Sequence, residues 1–191
     1  MSKKQKDRRV EKEKLLEQNR KKEARVRFRK QFIPLMIAVL LWIVTSMILH
    51  IPSIKNEVAT FFIGFTIQSS LLFGKIFFIP VLSPSFPFLI IGGYHMQVVM
   101  ECTAYNFYVF VIFLSLLSPV KWKQRLLTLL IFLFAVFVVN NLRFITVGYI
   151  GSYSQDLFHL VHDYLWNILF GFIVFLIWAW RYNKSTEVNK D

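Results

Sequence analysis

The sequence predicts an all-α, multi-pass membrane bundle of about five spans, with a short β-hairpin-like segment set into it. Three observations carry this reading. Of the 191 residues, 55% are hydrophobic and Phe alone contributes 21. That apolar content falls in blocks of bilayer-spanning length, which a water-soluble domain of this size rarely has. Around Gly92-Gly93, two short strand-like runs interrupt the helical pattern.

The elements follow in order. Residues 1–30 form a basic tail, residues 31–182 the transmembrane domain, and residues 183–191 a polar C-terminal tail. The formal net charge is +12, and most of the excess lies between Lys3 and Lys30. Phe28 is the only aromatic residue in that tail, so base stacking has little to work with and no nucleic-acid partner is expected. A basic tail ahead of an apolar run places the N-terminus in the cytoplasm, against anionic lipid. Glu11, Lys14 and Glu17 have the spacing of a solvated helix. The tail is too long and too charged for a secretory signal, and no small-residue cleavage site follows, so the first apolar run is read as a retained span.

Span one is read over Phe32–Ile51, with Pro34 in its first turn, where a missing N–H costs little. A second apolar run covers Val58–Val81. Gln68, Ser69 and Ser70 near its middle are interhelical hydrogen-bonding groups or a polar lining. Pro80, Pro84 and Pro87 then break the helix. Phe88–Ile91 and Tyr94–Val99 read as a hairpin on a tight Gly92-Gly93 turn. An isolated hairpin is marginal, so this one must pack on the helices. Span three is read over Thr103–Leu117, stopped by Ser118-Pro119. The short basic loop Lys121–Arg125 belongs inside. Span four covers Leu126–Val147, a glycine-containing polar loop Gly148–Asp156, and span five Leu160–Trp180, anchored by Trp178, Trp180, Arg181 and Lys184.

This topology makes a functional prediction. With Lys121–Arg125 inside, span three starts at the outer edge and brings Cys102 there. Span four ends at the outer edge with Arg143, and span five starts there with His162. Three side chains far apart in sequence share one membrane depth. A cytoplasmic N-terminus and an outer Cys102 require an odd number of crossings between them. Either the region Val58–Met100 does not fully cross, or residues 80–100 cross back.

Ionisable groups at a membrane edge cost free energy and so mark a candidate site. Cys102 is the only cysteine, which excludes an intrachain disulfide. A thiol in an apolar setting needs a cation or base to become a nucleophile. Arg143 stays charged and can stabilise a thiolate or an oxyanion. His162 can shuttle the proton. Asn140, one turn before Arg143, is positioned to hold the guanidinium or a substrate carbonyl. Asp163 or Asp156 is available to orient a histidine, and Glu101 to pair with Arg143 or a substrate group. Taken singly, each has a structural explanation: a small buried cysteine, an interfacial arginine, an ion pair. His159 and His162 are spaced as two metal ligands, but no further Cys or His completes a site. No metal or cofactor is expected.

Glu101-Cys102 followed by small residues, Asn140-x-x-Arg143, and His162-Asp163 opening the last span together resemble the exosortase/archaeosortase family, over roughly residues 56–180. The chain looks like the short exosortase-like type of Gram-positive bacteria. The resemblance implies a membrane-embedded cysteine peptidase or transpeptidase that cleaves C-terminal sorting signals of exported proteins. Its cysteine, arginine and histidine positions fall on Cys102, Arg143 and His162. The implied partners are an exported protein with a C-terminal transmembrane sorting signal, and an acceptor amine or water. The family usually carries Ser-Gly after its cysteine, where this chain has Thr103-Ala104. A non-catalytic membrane assembly factor for surface protein or polysaccharide export would use the same cluster structurally and tolerate its substitution. A transporter would need a polar path through the membrane, but the inner halves of spans three to five are almost wholly apolar.

Overall fold

A computed structural model describes residues 3–188. The chain forms helix α1 (Lys3–Leu49), α2 (Pro52–Phe77), strands β1 (Val81–Leu82), β2 (Phe88–Ile91) and β3 (Tyr94–Gln97), and a 3-10 turn over Met100–Thr103. Then come α3 (Tyr105–Leu117), α4 (Trp122–Tyr153), the short α5 (Gln155–His159), a π-helical turn over Leu160–Leu165, and α6 (Trp166–Val188). Among the described residues, four helical segments are long and apolar enough to cross a membrane: Phe32–Leu49 within α1, α2, α4, and the run Gln155–Arg181. A fifth apolar helix, α3, has 13 residues.

The basic tail and the first apolar run form one helix. Lys, Arg, Glu and Leu all favour helix, so the helix begins well before the apolar run. Glu17 and Lys21 pair at 2.7 Å one turn apart on its exposed surface. Pro34 therefore lies inside a continuous helix rather than in a first turn, and its ring removes one interior backbone donor.

Four helices run along one axis. α1 and α3 are antiparallel: Ser46 Oγ donates to Asn106 Oδ1 at 3.3 Å, and lower down Trp42 meets Phe110 edge-on at 6.1 Å. α4 and the last helical run are also antiparallel. Arg181 Nε donates to Thr128 Oγ1 at 3.0 Å at one end, and Arg143 meets His162 at the other. Between them Val111, Leu114, Phe132, Val136, Phe170 and Val174 form an apolar core. At the lower end the Arg125 guanidinium donates to the carbonyls of Leu116 and Val120, which closes the C-terminus of α3.

α2 behaves differently. Near its start, Lys55 Nζ lies 3.7 Å from Glu101 Oε1. Fifteen residues later, the Ser70 hydroxyl donates to Asn141 Oδ1 at 3.1 Å. Those fifteen residues are about 22 Å of helix. Yet Glu101 adjoins Cys102, Asn141 lies close to Arg143 in sequence, and both Cys102 and Arg143 reach the same imidazole. Two points far apart along α2 thus sit at one level of the bundle, so α2 runs across it. Its aromatic neighbours, Tyr105, Tyr108 and Phe137, lie in that same upper half.

The expected hairpin forms, and its Gly92 and Gly93 take φ of 59° and 81°, as a type I′ turn requires. It gains a strand beyond the two expected: β1, just after Pro80, pairs with β2, giving a three-stranded antiparallel sheet in the order β1-β2-β3. α2 stops early because Phe78 turns left-handed and its N–H bonds the Gly74 carbonyl. The expected loop Gly148–Asp156 is another correction, since α4 continues as helix to Tyr153. Its glycines serve packing rather than turning. A Cβ at Gly148 would stand 2.6 Å from Ile91 Cβ, and one at Gly151 2.8 Å from the Tyr94 ring. The missing side chains let the sheet lie directly on α4.

Candidate active site

Two of the three expected residues, Cys102 and His162, are positioned by a departure from regular helix. Cys102 sits in the 3-10 turn, whose N–H bonds the Val99 carbonyl at 2.9 Å. Thr103 is fully buried, and its hydroxyl holds the Met100 carbonyl at 2.7 Å. Ala104 then takes φ +57° before α3 begins. That left-handed conformation suits glycine and costs alanine of the order of 1 kcal/mol.

Arg143 is carried by the middle of α4, with only 4% of its surface exposed. His162 is carried by the π-helical turn, whose extra residue per turn changes the direction in which a side chain points. Phe158 stacks on the imidazole at 5.3 Å between ring centres, nearly parallel, and Tyr94 of β3 packs on Phe158 at 5.3 Å. Sheet and last helix together brace the histidine. The sequence reading missed Phe158; its place one turn before His162 was the available signal.

The three side chains converge on one atom. Cys102 Sγ lies 3.3 Å from His162 Nε2, across 60 residues of sequence. Arg143 Nη2 lies 2.9 Å from the same nitrogen and 3.4 Å from the His162 carbonyl oxygen. A guanidinium can only donate. In this arrangement Nε2 therefore accepts, and the imidazole is neutral with its proton on Nδ1. The thiol proton and the arginine N–H compete for one lone pair. Beside the cluster opens a cavity of about 270 Å³, walled by Gln97, Val99, Phe144 and Phe158 as well as the three residues themselves.

Glu101 and Asn140 do not join this cluster. Glu101 is not paired with Arg143: its carboxylate reaches Lys55 at 3.7 Å, on the exposed side of the turn. Asn140 is buried, but its Oδ1 meets no hydrogen-bond partner among the described residues, so it does not clamp the guanidinium. Its neighbour Asn141, which the sequence reading passed over, takes the helix-binding role. Its Oδ1 accepts from Ser69 at 3.4 Å and Ser70 at 3.1 Å, and its Nδ2 donates to the Phe137 carbonyl at 2.8 Å. This is the interhelical bonding expected of Ser69 and Ser70. The side chains of Asp163 and His159 lie outside those described. Asp156 is exposed in the first turn of α5.

Fold and cluster together define a multi-pass membrane protein with a buried thiol held against an imidazole and a guanidinium. Residues 24–179 match the family model described as transmembrane exosortase. The chain belongs to that family, whose members process C-terminal protein-sorting signals by a cysteine-dependent mechanism. Membership implies a cysteine-dependent hydrolase or transpeptidase activity. Neither curated proteins nor solved structures gave a match.

Proposed function

We propose that Cys102 is the nucleophile of a peptidase or transpeptidase acting at the outer face of the membrane, with His162 as proton shuttle and Arg143 as oxyanion donor. The observation that carries this is the convergence of all three on His162 Nε2 beside an open cavity.

The chemistry runs as a balanced acyl transfer. The thiol proton passes to His162 Nε2 as sulfur attacks the scissile carbonyl. Nε2 cannot hold that proton and accept from Arg143 at once, so the guanidinium turns to the developing oxyanion, where its charge stabilises the tetrahedral intermediate. Collapse expels the leaving amine, which takes the proton from His162, and leaves a thioester on Cys102. An acceptor amine or water, deprotonated by the neutral imidazole, resolves it. The substrate is the C-terminal transmembrane tail of an exported protein, carrying its scissile bond near the outer interface.

The orientation rests on charge. The basic tail, the Lys121–Arg125 loop and Arg181 belong to the end of the bundle opposite the cysteine. Placing that end in the cytoplasm satisfies the positive-inside bias. α1, α3, α4 and the last helical run then cross, while α2 and the sheet stay in the outer half. The odd count required between tail and cysteine is met.

In the producing cell, Cys102→Ala at unchanged protein level leaves full-length precursors, seen as retained C-terminal peptides by mass spectrometry. Normal trimming in that strain rejects the reading. Orientation is checked separately in the Cys102→Ala background. Ser154→Cys should react with an impermeant maleimide on intact cells, and Gln124→Cys only after lysis.

A further inference from the structure

We infer that the outer edge of β3 is a docking rail for the substrate's backbone, which adds a fourth strand to the sheet and so carries the scissile carbonyl to Cys102. The inference rests on the proposed peptidase reading and names how its substrate is held.

β3 pairs with β2 alone and is an edge strand. Val98 N–H bonds the Pro87 carbonyl at 2.9 Å, which fixes the side on which its backbone groups lie. Backbone direction alternates along a strand, so Met96 and Tyr94 also face β2. The N–H and C=O groups of His95 and Gln97 then face away. No backbone partner for either is present among the described residues. The next outward group, the Val99 carbonyl, already accepts from the Cys102 N–H at 2.9 Å. The unpaired edge therefore leads straight into the turn that holds the nucleophile.

A groove accompanies that edge. Gln97 and Val99 line the cavity together with Phe158, His162, Cys102 and Arg143. Alternate residues of β3 lie on opposite faces: Met96 is buried against α4 and Gln97 is exposed. A cavity touched by both Met96 and Gln97 lies along the strand's edge rather than on one face. An extended peptide fits such a place because its own N–H and C=O groups need partners in a setting largely shielded from water. This mode reads backbone first and side chains second, so one enzyme can accept tails of differing sequence.

The test uses proline as a backbone probe. Gln97→Pro deletes only an outward N–H, leaves the β2 ladder intact and suits an edge position. Gln97→Ala removes the side chain and keeps the N–H. Full-length protein in detergent is treated with acetyl-tetra-alanine chloromethyl ketone and, separately, with iodoacetamide, which has no peptide backbone to dock. Labelling of Cys102 is followed by mass spectrometry. The peptide reagent should label Gln97→Pro roughly tenfold more slowly than Gln97→Ala, as the loss of one hydrogen bond together with the bulk of the ring implies. Iodoacetamide should label both alike. Equal peptide labelling in the two variants overturns the rail, as does wild-type labelling by the peptide that shows no rate advantage over iodoacetamide. A slower iodoacetamide reaction in Gln97→Pro signals a disturbed turn and also counts against it. Failure of the peptidase reading looks different: iodoacetamide would then label His162→Gln as fast as wild type.

Discussion

Asn141 and Arg143 lie two residues apart on α4, both almost fully buried, and they do opposite things. Two hydroxyls from α2 meet the Asn141 oxygen, and its amide donates to a carbonyl of its own helix. The cluster ties α2 to α4. Arg143 reaches the imidazole nitrogen that the thiol also approaches, and a cavity opens beside it. Burial of a polar group does not separate structure from chemistry. Whether it ties two helices together or borders a cavity beside a thiol does.

That contrast can be broken experimentally. The largest effect is expected at the open cluster. Arg143→Ala should lower the rate of substrate trimming about 100-fold or more, in the range seen when an oxyanion donor is lost, with little change in protein yield. Arg143→Lys should recover only part of it, because a point charge does not reproduce the fork of donors. Next comes the asparagine–serine cluster. Asn141→Ala should lower thermal stability by about 2 kcal/mol, since it strands the buried Ser70 hydroxyl while Ser69 keeps the Thr66 carbonyl. Trimming per folded molecule should stay near wild type. A large activity loss with unchanged melting temperature would erase the distinction between the two residues.

Smaller effects sharpen it. Gly148→Ala should destabilise by about 1–3 kcal/mol, because the new methyl group meets Ile91 and pushes the sheet off α4. Melting in detergent, read by tryptophan fluorescence, measures this. Ala104→Gly relieves the left-handed alanine but loosens the unfolded chain. It should stabilise by no more than about 1 kcal/mol and leave thiol alkylation rates unchanged.

Much of this was readable from residue types and periodicity. The apolar blocks, the basic loop and the positions of Cys102, Arg143 and His162 at the ends of their segments were enough to bring the three residues to one level. Gly92-Gly93 announced the hairpin. The misreadings share a physical cause. Gly148 and Gly151 read as part of a polar loop, but glycine also marks close approach, and only the partner across the contact tells which. Val81-Leu82 follows the helix-breaking Pro80, but two apolar residues are too few to show the period of a strand. Asn140 and Asn141 are adjacent on one helix, and a shift of one residue turns a side chain by about 100°. Which asparagine faces α2 depends on packing that the sequence alone does not express.

The wide turn at Leu160–Leu165 has its own consequence. Below it, Trp166, Phe170 and Val174 lock the last helix into the apolar core. Above it, the imidazole is aimed by the extra residue in the loop of backbone. Anchorage and aim are therefore set by separate stretches of one rod. Removing a single residue from that turn would leave the lower part seated while rotating the histidine by about 100°, away from the sulfur.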